Sequence, residues 1–333
     1  MPVILQKSFA VPVRALAWLG GHGTRAIAAL VFIGIAVPAI GDALKPLVTE
    51  AIFLLLCISF MRVDLSALRH HLRRPGLILA ITTWTTFAVP LVVGLGCLAT
   101  GFEKQSPDVF LGLMLQSIAS PMMAAPALAA LMGLDTTLAL ITLVTSTSLV
   151  PLSAPLFAYA LFGGALTLSP LALGLKLLAL LAGSLLVATA VRRLVGAAAI
   201  ERHKHAIDGL NIVLMLVFVT AVMGTVAGSF LAAPLKVLGL ALFAFAVFFA
   251  LFGITALIFR SVGHDHALAL GLVVSQRNMG LMLAATDGAL PGLTWLYFAL
   301  SQFPIYMSPQ LLKPLVRRTI EPRTLGSKAG EVS

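Results

Sequence analysis

Charge is scarce in this chain. Of its 333 residues, 12 are Asp or Glu and 22 are Lys or Arg, 10% in all, against about 25% in an ordinary soluble domain. So little charge cannot cover a water-facing surface, which excludes a soluble globular body of this size. The 60% hydrophobic content and mean hydropathy of +1.06 suit a chain solvated by lipid instead. Cysteine is also nearly absent. Cys57 and Cys97 lie inside apolar runs and form neither a metal framework nor a disulfide pattern. Acids are missing altogether between Asp135 and Glu201, so an intramembrane enzyme has no base or paired carboxylates near the serines of the central runs.

What is present is a series of long apolar runs. A bilayer core needs about 20 such residues per helix. The runs predict ten spans, at about 25–43, 46–65, 76–100, 108–133, 136–163, 168–191, 209–229, 235–259, 265–288 and 292–314. The net charge of +10 would suggest nucleic acid in a soluble protein, but the basic residues sit in short stretches between the runs, where they set topology. With the N-terminus inside, 17 of the 22 Lys and Arg fall on the cytoplasmic side and three (Lys45, Lys104, Lys236) on the other; Lys176 and Arg277 lie within spans. This bias predicts an even number of spans with both termini cytoplasmic, no nucleic-acid partner and an uncleaved first span in place of a removable signal peptide. His264-Asp265-His266 reads as a polar loop rather than a metal site, because no third ligand is in view.

Ten spans divide into two sets of five, and an odd-numbered unit repeated in tandem inserts upside down the second time. Short similarities agree. Gly112-Leu113-Met114-Leu115-Gln116-Ser117 parallels Gly271-Leu272-Val273-Val274-Ser275-Gln276, and Ser148-Leu149-Val150-Pro151 parallels Ser301-Gln302-Phe303-Pro304. The predicted organisation is a cytoplasmic segment over 1–23, a first five-helix repeat over 24–163, a second, inverted repeat over 168–318 and a cytoplasmic tail over 319–333.

The fourth and ninth runs carry the polar chemistry. The fourth contains Gln116, Ser117, Ser120, Pro121 and Pro126. Two prolines five apart, each lacking an N–H, predict an opened helix at membrane depth, which must line a protein-enclosed or watery cavity. The ninth contains Ser275-Gln276-Arg277-Asn278-Met279-Gly280. Arg277 is too deep to snorkel, and an arginine at the bilayer centre costs roughly 2.5–3.5 kcal/mol even on a lenient scale. Such a residue faces a protein interior or water and has a partner. With no carboxylate at that depth, its partner is a bound anion or the backbone carbonyls of the opened helices.

These residues resemble the bile acid:sodium symporter superfamily. Three places carry the resemblance, which runs from about residue 30 to 318. Met61-Arg62-Val63-Asp64-Leu65 through Arg73-Arg74-Pro75 is similar to the end of the family's second span. Ser120-Pro121 through Asp135, then Pro151 and Pro155, looks like its Cys-Pro-Gly-Gly stretch, Gly-Asp turn and later proline pair. Arg277-Asn278-Met279-Gly280-Leu281 looks like its Gln-Asn-x-Gly-Leu. The resemblance implies an all-α membrane protein. Spans three to five and eight to ten would form a core, spans one, two, six and seven a panel, and the discontinuous spans four and nine would cross. It implies alternating-access transport in an inner membrane.

The sequence departs from that family at the cation sites. The family's ninth-span glutamate falls on Val273, its glutamine on Arg277, and its fifth-span Ser and Thr on Ala139 and Leu143; its third-span glutamine falls near Thr85. Thr85, Ser146 and Thr147 remain as weak sodium-site positions. The expected reading is a secondary transporter of a small organic anion, not an enzyme, with no cofactor. Arg277 would serve as a fixed cation, and coupling would be to sodium by family, or to protons, or absent. Candidate substrate contacts are Arg277, Asn278, Gln276, Ser275, Ser120, Ser117, Gln116 and Ser301. The expected partners are the lipid bilayer and the substrate, in a monomer or homodimer. An arsenite-exporter-like carrier of the same fold lacks its fourth-span cysteine here, and a sensor would need a soluble domain that the chain does not have.

Overall fold

The computed structural model describes residues 14–18, 38–62, 75–162, 166 and 168–329. Among them, helices are the only extended regular elements. Six are long and apolar enough to cross a membrane, namely Ile40–Arg62, Pro75–Thr100, Thr136–Leu161, Pro170–Val195, Lys204–Ala232 and Pro234–Ile258, so the protein is an integral membrane protein. The expected first span lies largely outside the described residues. Its last part is not separate from the second. Helix α1 (Pro38–Leu44) continues through a 3-10 turn (Lys45–Leu47) into α2 (Val48–Arg62), because Pro46 stands at the start of a turn, where its missing N–H costs nothing.

The other helices come in chain order. The run at 76–100 is α3 (Pro75–Thr83), a π turn (Trp84–Ala88) and α4 (Val89–Thr100), with the short α5 (Phe102–Gln105) after it. The run at 108–133 holds two helices, α6 (Pro107–Ile118) and α7 (Ala125–Met132). Next come α8 (Thr136–Leu161), α9 (Pro170–Val195), α10 (Ala197–Arg202), α11 (Lys204–Ala232) and α12 (Pro234–Ile258). The run at 265–288 again holds two, α13 (His264–Ser275) and α14 (Met279–Ala285), and α15 (Gly292–Ala329) closes the chain. His264 and His266 form the first turn of α13 rather than a loop, and His266 pairs with Asp135 at 3.3 Å. Asp135 also caps α8 by accepting from the Leu138 N–H at 2.9 Å.

The chain folds as two compact units. One comprises Met1–Val63, Leu175–Val237 and Gly280–Pro291. Within it α1 lies so close to α11 that a methyl group on Gly41 would stand 2.7 Å from the Thr220 carbonyl oxygen. Its polar links are Arg62 to Asp208, Lys176 to Asp287, and Arg192 to the Met61 carbonyl. Lys176 lies near the start of α9, where its stem can run along the helix and its head reach an acid.

The other unit comprises Asp64–Gly174, Leu238–Met279 and Gly292–Ser333. Two apolar clusters hold it together. One gathers Ala125, Ala129, Ala139, Phe248, Leu272, Val273 and Leu312, and the other Ile81, Val89, Leu138, Leu251 and Val274. Both clusters take residues from the last turn of α13, so they fix where that helix ends and where its continuation, Gln276-Arg277-Asn278, begins.

Candidate functional site

Proline chemistry shapes the site. α6 ends at Ile118, and Ala119 turns to extended backbone (ψ 150°) just ahead of Ser120-Pro121. A residue before proline is pushed out of the helical region, and Pro121 has no N–H to continue the ladder. On the other chain segment α13 ends at Ser275, and Gln276 leaves the helix (ψ 85°). The two freed stretches pair antiparallel. The Asn278 N–H donates to the Ser120 carbonyl at 2.8 Å, the Met122 N–H donates to the Gln276 carbonyl at 2.6 Å, and Pro121 faces Arg277. Pro121 and Arg277 thus form the non-hydrogen-bonded pair of the bridge, a position that asks no donor of either residue. Each break supplies the partners the other lacks, where an unpaired backbone group would cost several kcal/mol.

Arg277 extends from this bridge and is 1% exposed. Its Nη1 donates to the Ala119 carbonyl at 2.9 Å and to the Thr85 carbonyl at 3.3 Å. Both acceptors are carbonyls without an intrahelical donor. Ala119 lies beyond the last turn of α6. Thr85 lies in the π turn, where the Val89 N–H reaches back to the Trp84 carbonyl. The next donor in that i→i−5 pattern would come from residue 90, which is proline and has none. One nitrogen of the guanidinium therefore joins a helix end to a helix bulge.

The other two guanidinium nitrogens are unspent. Nε and Nη2 are buried without a hydrogen-bond partner, which leaves three of the five N–H donors free. No carboxylate lies within ion-pair distance among the described residues. Nε and Nη2 together form the side-on fork of a guanidinium, which matches the two oxygens of a carboxylate. Two further polar groups on these segments, the Ser120 hydroxyl and the Thr85 hydroxyl, are buried and likewise without a partner.

The structure separates the other candidates. Ser117 donates to the Met114 carbonyl at 2.8 Å, Ser275 to Leu272 at 2.9 Å and Ser301 to Phe298 at 2.7 Å. These three hydroxyl protons are spent within their own helices. Gln116 accepts from the Tyr297 hydroxyl at 2.5 Å, and Gln276 donates to the Ser308 hydroxyl at 2.6 Å and to the Ile305 carbonyl at 3.2 Å. Both glutamines thereby tie the break points to α15. Asn278 contributes its backbone N–H to the bridge. Ser146 and Thr147 on α8 have buried hydroxyls without partners.

Sequence reasoning missed the π turn, Tyr297 and the pair of threonines Thr82 and Thr145, whose hydroxyls meet at 2.7 Å. Pro90 within the apolar run was the available signal for the first. Nothing in the sequence marked Tyr297, whose part in the site comes only through its contact with Gln116. Val273 and Ala139, fully buried, share one apolar cluster with Ala125. Oxygen ligands are absent from that cluster's side chains, and no group of three or more His, Cys, Asp or Glu that could hold a metal occurs among the described residues. The chain matches no family model and no curated protein.

Proposed function

We propose that the protein is a secondary transporter that moves a small organic anion, of carboxylate type, across a bacterial-type inner membrane by alternating access. In this reading the paired stretches around Pro121 and Arg277 are the unwound centres of the fourth and ninth of ten spans. The spans form two inverted five-helix repeats with both termini cytoplasmic, in a fold resembling the bile acid:sodium symporter superfamily. One observation carries the reading. A buried guanidinium keeps its Nε and Nη2 donors free while its Nη1 is held by two carbonyls. A purely structural arginine at this depth would be expected to spend its remaining donors as well, since unmet buried donors are costly. The Ser120 and Thr85 hydroxyls supply further donors beside the anion.

The same reading assigns no sodium ion to the transport cycle. Sodium needs several oxygen ligands, whereas Val273, Ala139 and Ala125 pack as hydrocarbon, and Arg277 occupies the other expected cation position as a permanent charge. No covalent step and no cofactor enter the cycle. The test is uptake of radiolabelled monocarboxylates by proteoliposomes, with and without a sodium gradient. Uptake that is saturable, sodium-independent and lost in Arg277→Gln supports the proposal. Uptake driven by sodium, or retained in Arg277→Gln, refutes it.

A further inference from the structure

The second unit carries an apolar groove of about 350 Å³ between the α3–α4 rod and α12, walled among others by Trp84, Val92, Gly96, Cys97, Phe243 and Ile254. Both walls belong to helices long and apolar enough to span a membrane. Polar atoms along it are already satisfied. Trp84 Nε1 donates to the Thr255 hydroxyl at 2.9 Å, and the Thr100 hydroxyl donates to the Gly96 carbonyl at 2.9 Å. The guest must therefore be hydrocarbon. The rim residues Val92 and Ile254 are 59% and 48% exposed, and they continue into the exposed Leu91 and Leu95 of α4 and Leu257 and Ile258 of α12. This outward apolar surface faces acyl chains, so the groove opens onto lipid.

Its length and its end identify the guest further. From Phe243 to Ile254 a helix rises ~16 Å, about half of a ~30 Å hydrocarbon core, the depth of one leaflet. The lining includes Thr100 and Phe102 at the junction of α4 and α5, and the next two residues of α5 are Glu103 and the exposed Lys104. One oxygen of Glu103 is buried and has no hydrogen-bond donor. An acid and a base side by side, next in sequence to the lining residue Phe102, complement a zwitterionic headgroup. We propose that this groove holds one acyl chain of a phospholipid whose phosphate meets Lys104 and whose primary ammonium meets Glu103.

Such a lipid touches the supports of the Arg277 site from two directions. Trp84 opens the π turn whose Thr85 carbonyl receives Arg277. Phe243 packs against Tyr297 with ring centroids 5.8 Å apart and the ring planes tilted by 47°, and Tyr297 holds Gln116 just ahead of the α6 break. The acyl chain is thus a packing element of the second unit, independent of what the protein carries.

The experiment uses the full chain in nanodiscs doped with a phosphatidylethanolamine bearing a diazirine on its acyl chain, with photolabelled peptides mapped by mass spectrometry. Labels on residues 84–102 and 243–254 are expected. Gly96→Phe fills the groove, and Gly253→Phe adds the same ring on α12 away from it; neither new Cβ meets an atom within 4 Å. Gly96→Phe should cut labelling about ten-fold, while Gly253→Phe leaves it unchanged. Unlabelled phosphatidylethanolamine should compete about three-fold better than phosphatidylcholine, with the preference lost in Glu103→Gln. Labels of the unmodified protein that map elsewhere, equal competition by the two lipids, equal loss in both glycine variants, or a dimer that dissociates in Gly96→Phe would each overturn the proposal. The mapping on the unmodified chain stands even if a variant fails to fold.

Discussion

Two places in the second unit stand against each other, one built around a charge and the other around hydrocarbon. Around Arg277 the protein keeps a charge, two free donor nitrogens and unpartnered hydroxyls. Around Val273, Ala139 and Ala125 it packs hydrocarbon, with Phe248, Leu272 and Leu312 in the same cluster. Val273 and Arg277 are four residues apart in sequence, yet their physical demands are opposite. One site tolerates an incompletely paired guanidinium because a helix end and a helix bulge offer it carbonyls. The other packs apolar side chains together, and a polar group placed among them would need a partner that they do not supply. Unspent hydrogen-bonding capacity is thus gathered around one side chain and the backbone that holds it.

The contrast is most exposed at the charge. Arg277→Gln should lower anion transport by at least about 100-fold, since it removes two charge-assisted hydrogen bonds worth about 1.5–3 kcal/mol each. Arg277→Lys, which keeps the charge and loses the fork, should fall between the two. Transport assays on matched reconstitutions decide this, and equal activity of all three would remove the contrast. The apolar side is tested by Val273→Glu. A carboxyl group without a partner in that cluster should destabilise the protein by roughly 3–5 kcal/mol, read as a large fall in Tm, and added sodium should not restore it. Restoration by sodium would mean that the cluster can still assemble a cation site.

Smaller effects mark the boundary between the two places. A methyl group on Gly112 would stand 2.7 Å from the Tyr297 ring, so Gly112→Ala should displace Tyr297 from Gln116 and cost about 1–3 kcal/mol by thermal unfolding. Ser120→Ala should leave stability unchanged or slightly raised, because its hydroxyl is buried and unpartnered, while weakening substrate affinity by a few-fold. Ser117→Ala, whose hydroxyl proton goes to its own helix, should alter both quantities least, within about 0.5 kcal/mol. Equal transport by the Ser117 and Ser120 variants would mean that an unpartnered hydroxyl confers nothing on the substrate.

Much of this was legible in the sequence, and for physical reasons. Apolar runs of membrane length translate directly into helices, so the ranges 76–100, 136–163 and 235–259 reappear as helical stretches within a residue or two. The depth of Arg277 in its run and the prolines at 121 and 126 pointed to the stretches where α6 and α13 end, because proline acts locally on the backbone. Side-chain direction was not legible. Ser117 and Ser120 are both serines of one motif, yet only the helix end decides which hydroxyl finds a carbonyl behind it. The burial of Val273 beside Ala139 and Ala125 was equally invisible, since it depends on which face of α13 meets α7 and α8. Carbonyls were named as candidate partners of Arg277, but Thr85 could be singled out only with the register of the π turn.

That turn has a consequence for how the site could be gained or lost. A π turn is an α-helix with one residue more than the winding needs. Deleting a single position between Trp84 and Ala88 would let the rod rewind as regular α-helix with its two halves in their present phase, flatten the bulge and draw the carbonyl that now reaches Arg277 back toward the helix. The anchorage of the deepest charge in this protein therefore hangs on a count of residues as much as on their identities.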